Sequence, residues 1–195
     1  MIKAKLVLST IFALVCSTAY AGSCVPDGLD LSSRDFSRLH TIDQSRIKGL
    51  AEAMLGENAS DRAIVKELYS MGIGAPKVVP TGNYKCRTIK LGGISALVSY
   101  KFFDCRISQA GDQLRLEKLS GSQRFVGTLH MQETGVAYKG ASHYGYEEPR
   151  AYGVDGEHDQ VGCLFEALGK PTSILLELPA PQFESVHDVI ELVRQ

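Results

Sequence analysis

Residues 82–131 read GNYKCRTIKLGGISALVSYKFFDCRISQAGDQLRLEKLSGSQRFVGTLHM, and this stretch decides the fold. It breaks at glycine-bearing turns into four strand-like runs. Tyr84 to Leu91 leads into Gly92-Gly93, a two-residue hairpin signal. Ala96 to Ile107 follows as a long second strand, with Leu97, Val98, Tyr100, Phe102 and Phe103. Ala110-Gly111-Asp112 turns the chain into a third strand carrying Leu114, Leu116 and Leu119. Ser120-Gly121-Ser122 turns it again, into Phe125 to Met131. Strand–turn–strand spacing without intervening helices predicts an antiparallel barrel or sandwich. A barrel also removes the exposed edges that invite aggregation.

Working outward, the strands shorten downstream. Val136 to Ala141 is one, followed by a polar, aromatic loop from Ser142 to Pro149 and a short extension at Ala151 to Val154. Val161 to Leu168 and Ser173 to Leu178 pair around Gly169-Lys170-Pro171. The tail, Val186 to Val193, has apolar spacing that also fits a helix, but its β-branched content favours a closing strand. Upstream, Ser32 with Asp35 resembles a capping box. It opens a helix with an apolar stripe through Phe36, Leu39, Ile42, Ile47, Leu50, Met54 and Leu55, ending near Gly56. A second helix opens at Ser60, carries Ile64, Val65, Leu68 and Met71, and stops at Gly72. Pro76 and Pro80 make Gly72 to Thr81 a linker. The predicted fold is α+β, mainly β: an antiparallel barrel or sandwich covered by two N-terminal helices. Residues 22–81 form the cap and linker, and residues 82–195 the barrel-like domain, as one globular unit.

Residues 1–21 read as a signal peptide. Lys3 and Lys5 precede the apolar run from Leu6 to Val15, and Ala19-Tyr20-Ala21 forms an A-x-A cleavage site. The apolar run is too short to span a membrane, so the mature chain is expected to have no transmembrane segment. Four cysteines remain after cleavage: Cys24, Cys86, Cys105 and Cys163. An even number in an exported chain points to two disulfides, with three possible connectivities. Cys86–Cys105 is the favoured pair because the two lie on adjacent strands, which leaves Cys24–Cys163. The chain is expected to reside in the periplasm or outside the cell. A formal charge of −1 supplies no net basic field for nucleic acid.

No spacing among His40, His130, His143, His158 and His187 forms a metal or nucleophile motif, so no catalytic residue, metal or cofactor is expected. The arginines carry more information. Arg87 follows Cys86 and Arg106 follows Cys105, so both side chains leave the face opposite the cysteines. Arg124 closes the run Gly121-Ser122-Gln123, near Lys118. Arg87, Arg106, Lys118, Gln123 and Arg124 form a candidate anion or ligand site, because guanidinium forks bind carboxylates and phosphates bidentately. The alternative is ordinary cross-strand pairing with acids such as Asp104 and Glu117. Tyr138, Tyr144, Tyr146 and Tyr152 either line a binding mouth or pack the barrel.

The runs YKCRTIKLG, FDCRI, LEKLSGSQRFVG and DQVG resemble a family of exported proteobacterial proteins catalogued as domain of unknown function 4893. The likeness extends from near Phe36 to Leu192. Its motifs fall on Cys86, Arg87, Lys90, Gly92, Cys105, Arg106, Glu117, Lys118, Gly121, Ser122, Gln123 and Arg124. The resemblance implies export and domain limits, and no activity. The leading expectation is a non-enzymatic binding module for a protein partner or an envelope ligand. The alternatives are a hydrolase or transferase acting on envelope material, with Glu117 or His143 as acid/base, and a structural cell-envelope protein.

Overall fold

The computed structural model describes Cys24 and residues 28–195; the predicted signal peptide lies outside the described residues. Three helices come first: α1 (Ser33–His40), α2 (Ile42–Ala53) and α3 (Ala59–Tyr69). The sequence predicts two. The first is broken at Thr41, whose φ of −104° and ψ of 18° depart from helical values and whose hydroxyl donates to Ser37 O at 2.9 Å. Half of the predicted capping box is present: Asp35 N donates to Ser32 Oγ at 3.1 Å, while Ser32 N donates to the Tyr152 hydroxyl at 3.0 Å rather than to Asp35. Asn58, not Ser60, caps α3, its Oδ1 accepting from the amides of Ser60 and Asp61.

The predicted apolar stripe is also corrected. Ile47 and Leu55 are 68% and 79% exposed. The buried face of α2 is Ile42, Arg46, Gly49 and Ala53 instead. The cause is how closely the helix approaches the sheet. A Cβ on Gly49 would lie 2.9 Å from His187 Cβ and 3.0 Å from Leu91 Cβ. Small residues permit that approach and large apolar ones do not.

Ten strands follow: β1 (Ile73–Gly74), β2 (Gly82–Leu91), β3 (Leu97–Ser99), β4 (Phe103–Ala110), β5 (Gln113–Lys118), β6 (Gln123–Gln132), β7 (Gly135–Tyr144), β8 (Asp159–Ala167), β9 (Ser173–Pro179) and β10 (His187–Arg194). Eight of them, β2-β4-β5-β6-β7-β8-β9-β10, pair antiparallel in that order, and β10 returns to β2. The result is a closed up-and-down barrel. The C-terminal segment is a strand, as its β-branched residues predict, and it completes the closure. The predicted linker contributes β1, which adds to β8. Ala151 to Val154, predicted as a strand extension, belongs to the long β7–β8 loop instead.

The predicted long second strand is interrupted. Ile89 pairs with Ser99, while Cys86 pairs with Phe103. Three steps along β2 are thus matched by four on its partner, which is a β-bulge around Tyr100–Phe102. The turn before it is also wider than a two-residue hairpin, since Leu91 pairs with Leu97 across five residues.

The barrel wall separates two apolar layers. Inside lie Tyr84, Cys86, Cys105, Ile107, Leu116, Leu129, Tyr138, Leu164, Leu176, Ile190 and Leu192. Outside, Ile89, Leu91, Val161, Cys163, Phe165, Leu175 and Val189 pack against Leu39, Ile42, Ala53, Val65 and Leu68 of the helices. Each layer holds one disulfide. Cys86–Cys105 lies inside and Cys24–Cys163 outside, each with a Cα–Cα distance of 5.8 Å. These are the two pairings predicted. One barrel end is closed by the linker: Val79 joins the interior layer, and the Tyr84 hydroxyl donates to Pro80 O at 2.6 Å.

Candidate functional site at the open end of the barrel

The other end stays open. Four loops surround it: residues 92–96, 119–122, 145–158 and 180–186. Between them lies a cavity of about 490 Å³, within the range of roughly 300–1,000 Å³ usual for small-molecule sites. Its base is apolar, formed by Phe103, Phe125, Leu178 and Ile190. Its wall is polar, because the inward positions at this end of the strands are Thr88, Lys90, Lys118, Ser142, Gln160 and Asp188. Strand alternation brings these side chains together; they are remote in sequence.

The cations of the wall differ in their partners. Lys90 Nζ lies 3.0 Å from Glu184 Oε2 and 3.6 Å from Asp188 Oδ2. Burial pushes the Asp188 carboxyl above its ordinary range, against the opposing pull of Lys90 and Ser185. On the opposite side, neither Lys118 nor Arg124 has a carboxylate within 4.0 Å among the described residues. Lys118 Nζ sits 4.3 Å from the centre of the Phe103 ring. Arg124 donates from Nε to Gly121 O at 3.1 Å. Burial, reinforced by Arg124, lowers the Lys118 ammonium to about 8.

Of the five residues singled out in sequence, Lys118, Gln123 and Arg124 line this cavity. Arg87 and Arg106 are elsewhere, on the outer face opposite their cysteines. Arg87 Nε donates to Glu191 Oε2 at 2.6 Å and its guanidinium covers the Phe102 ring at 4.6 Å. Arg106 pairs with Glu117, which also takes Arg115. Burial raises the Glu117 carboxyl, but the two arginines outweigh it and hold it below the ordinary range. Such a carboxylate is a poor general acid at neutral pH. Of the four tyrosines, Tyr144 reaches the cavity, and Tyr146 stacks on it at 5.5 Å. Tyr138 is fully buried in the barrel. Tyr152 donates to Asp35 at 2.6 Å and ties the long loop to α1. His143 lines the cavity with its Nδ1 3.0 Å from Tyr144 O.

Sequence reading misses a second charged cluster, beneath the helices. Glu177, fully buried, receives Arg46 Nε at 2.6 Å and the Tyr69 hydroxyl at 2.7 Å, and His187 Nε2 lies 3.3 Å away. Ser45 Oγ is 3.1 Å from His187 Nδ1. This Ser–His–Glu sequence of contacts has the outline of a hydrolytic triad, yet its hydroxyl is committed elsewhere. Ser45 Oγ donates to Val186 O at 2.8 Å and accepts from Ala180 N at 3.1 Å, and His187 is fully buried. The arrangement pins α2 to the β9–β10 turn. No sequence spacing signals it, because its members come from α2, α3, β9 and β10.

The fold and site define a class: a disulfide-stapled, helix-capped up-and-down barrel with one open, polar end. The chain belongs to the family described as domain of unknown function (DUF4893), whose model matches residues 30–192. No curated protein and no solved structure matches the chain. Among the described residues, no helix is long and apolar enough to cross a membrane.

Proposed function

We propose that this is an exported, non-enzymatic binding module whose open barrel end receives a small ligand. The observation that carries the reading is the cavity of about 490 Å³ with Lys118 and Arg124 in its wall and no carboxylate beside either among the described residues. Buried or half-buried cations without countercharges are costly to a fold. They are tolerated where an incoming anion supplies the charge. Export is supported by the leader-like residues 1–21 and by the two disulfides, which persist in oxidising compartments. The periplasm is the proposed location.

Native mass spectrometry of the protein isolated from the periplasmic fraction tests this. The expected spectrum carries added mass from a retained small molecule, and that mass disappears in the Lys118→Glu/Arg124→Glu variant. A leader retained on cytoplasmic protein, or a bare chain to which no small molecule from an envelope extract adds, overturns the reading.

A further inference from the structure

The chemistry of the cavity narrows what it receives, if the open end is a binding site as proposed above. Three features coincide there. First, the two cations without a carboxylate partner, Lys118 and Arg124, are half-buried. Lys118 is paired with Cys105, which is 1% exposed, and its neighbour in the wall, Phe125, is 4% exposed. Second, two buried acceptors in the cavity lining, Gln160 Oε1 and Gln182 Oε1, have no hydrogen-bond partner among the described residues. A buried, unpaired amide oxygen costs about 1–3 kcal/mol, so each favours an N–H or O–H donor from outside. Third, the otherwise polar rim carries two exposed apolar side chains. Ile94 and Phe183 line the cavity at 84% and 56% exposure.

The rim is also held in shape. Ile94 N donates to Glu184 O at 2.9 Å, which locks the β2–β3 loop onto the β9–β10 loop. Gly93 permits the contact, since a Cβ there would lie 2.3 Å from Glu184 O. Ala180 and Glu184, at φ of 41° and 74°, are strained residues of that same loop.

We infer that the ligand is a small amphipathic carboxylate that enters head first, its anion on Lys118 and Arg124, an adjacent N–H or O–H on Gln160 or Gln182, and its apolar group between Phe183 and Ile94. An ammonium and a guanidinium on one side suit a carboxylate, which both can share. A simple inorganic anion would leave the two amide oxygens and the exposed Ile94 and Phe183 unused. A neutral apolar molecule would leave the cations unpaired. The same head group occurs on a free N-acyl amino acid and on the end of a peptide, so both are tested.

The experiment is NMR titration of the disulfide-bonded protein with four probes: N-acetyl-phenylalanine, a tetrapeptide ending in phenylalanine, N-acetyl-phenylalaninamide and acetate. The expected result is saturable shifts at Lys118, Gln160 and Phe183 with one or both of the first two. Amidation or loss of the apolar group should weaken binding about tenfold or more. Lys118→Gln should weaken binding by a similar factor without lowering the melting temperature. If the tetrapeptide binds and the free acid does not, the ligand is a chain end; the reverse order identifies a free acid. Equal binding of the amide overturns the role of the cations, and equal binding of acetate overturns the role of the rim. No shift with any probe at millimolar concentration overturns the inference as a whole. A retained neutral or cationic molecule in the mass spectrum would overturn this inference while leaving the binding module standing.

Discussion

Two charged clusters flank the same barrel wall, and they are finished differently. Beneath the helices, Glu177 is enclosed by Arg46, Tyr69 and His187. Its neighbour on β10, Glu191, is enclosed by Arg87, Ser173 and Lys170. Every buried charge there has its countercharge within the chain, and each contact joins a helix or loop to the barrel or one strand to the next. At the open end, Lys118 and Arg124 line a cavity, and among the described residues neither has a carboxylate within 4.0 Å or a hydrogen bond to a side chain. A closed cluster holds parts of a molecule together. An unfinished one is a place where something from outside can complete it. Charge alone does not separate the two; enclosure and pairing do.

The largest effect should come from breaking the closed cluster. Glu177→Ala leaves the buried Arg46 with only the more exposed Asp43 as countercharge and strips His187 and Tyr69 of their shared acceptor, and breaking a buried pair costs about 3–5 kcal/mol. Urea denaturation should show a fall of that order, and a change under 1 kcal/mol would mean the cluster does little for the cap. Acid should reach the same cluster by another route. Burial raises the Glu177 carboxyl, but His187 and Arg46 prevail and hold it at about 2, below the ordinary 4.5. Its contribution, on the order of 3 kcal/mol, is therefore complete above pH 4.5 and is lost as pH falls from there towards 2. Melting temperature followed across that window should drop in the parent and flatten in Glu177→Gln.

A smaller effect is expected where the packed interior meets the cavity. A Cβ on Gly140 would lie 2.4 Å from the Tyr138 hydroxyl and 2.3 Å from Val126 O. Gly140→Ala should cost about 1–3 kcal/mol by overpacking, measured by thermal melting. The open cluster should show no loss of stability at all. Lys118→Met or Arg124→Gln should not lower the unfolding free energy at neutral pH, and by removing a charge with no countercharge Lys118→Met should raise it. Because Lys118 titrates at about 8 and only its protonated form attracts an anion, carboxylate binding by the parent should weaken as pH rises past 8. That dependence should vanish in Lys118→Met. Strong destabilisation by either substitution would erase the distinction between the clusters.

The strands were legible because their period of two and their glycine turns are local signals. The helical surface was legible only in part. Apolar content pointed to Ile47 and Leu55 as buried, whereas α2 meets the barrel through Arg46, Gly49 and Ala53. The small residues at 49 and 53 were the available signal, and reading it required knowing that the helix lies against Leu91 and His187. The cation-bearing wall was half visible. The run from Lys118 to Arg124 sits at one turn, so its three members arrive together. Arg87 and Arg106 were grouped with them by the shared Cys-Arg pattern, but alternation sends both to the outer face, where Glu191 and Glu117 take them up. Gln160, Asp188 and Thr88 join the cavity only through barrel closure, which no local pattern encodes.

That closure bears on the order in which the chain is made. From β2 to β9, every barrel strand pairs with the barrel strand that next leaves the ribosome, except across one seam. There β10 inserts between β2 and β9. The whole stretch from Gly92 to Val186 is synthesised between the two sides of the seam with β2. Until β10 docks, β2 has one unpaired edge, with Lys85, Arg87 and Lys90 spaced along it, which is the kind of edge that captures foreign strands. Lys85 meets Asp104 as soon as β4 pairs, whereas Arg87 and Lys90 stay without Glu191 and Asp188 until β10 arrives, and as like charges they disfavour pairing with a second copy of the same strand. The residues that seal the finished barrel thus also guard it while it is incomplete.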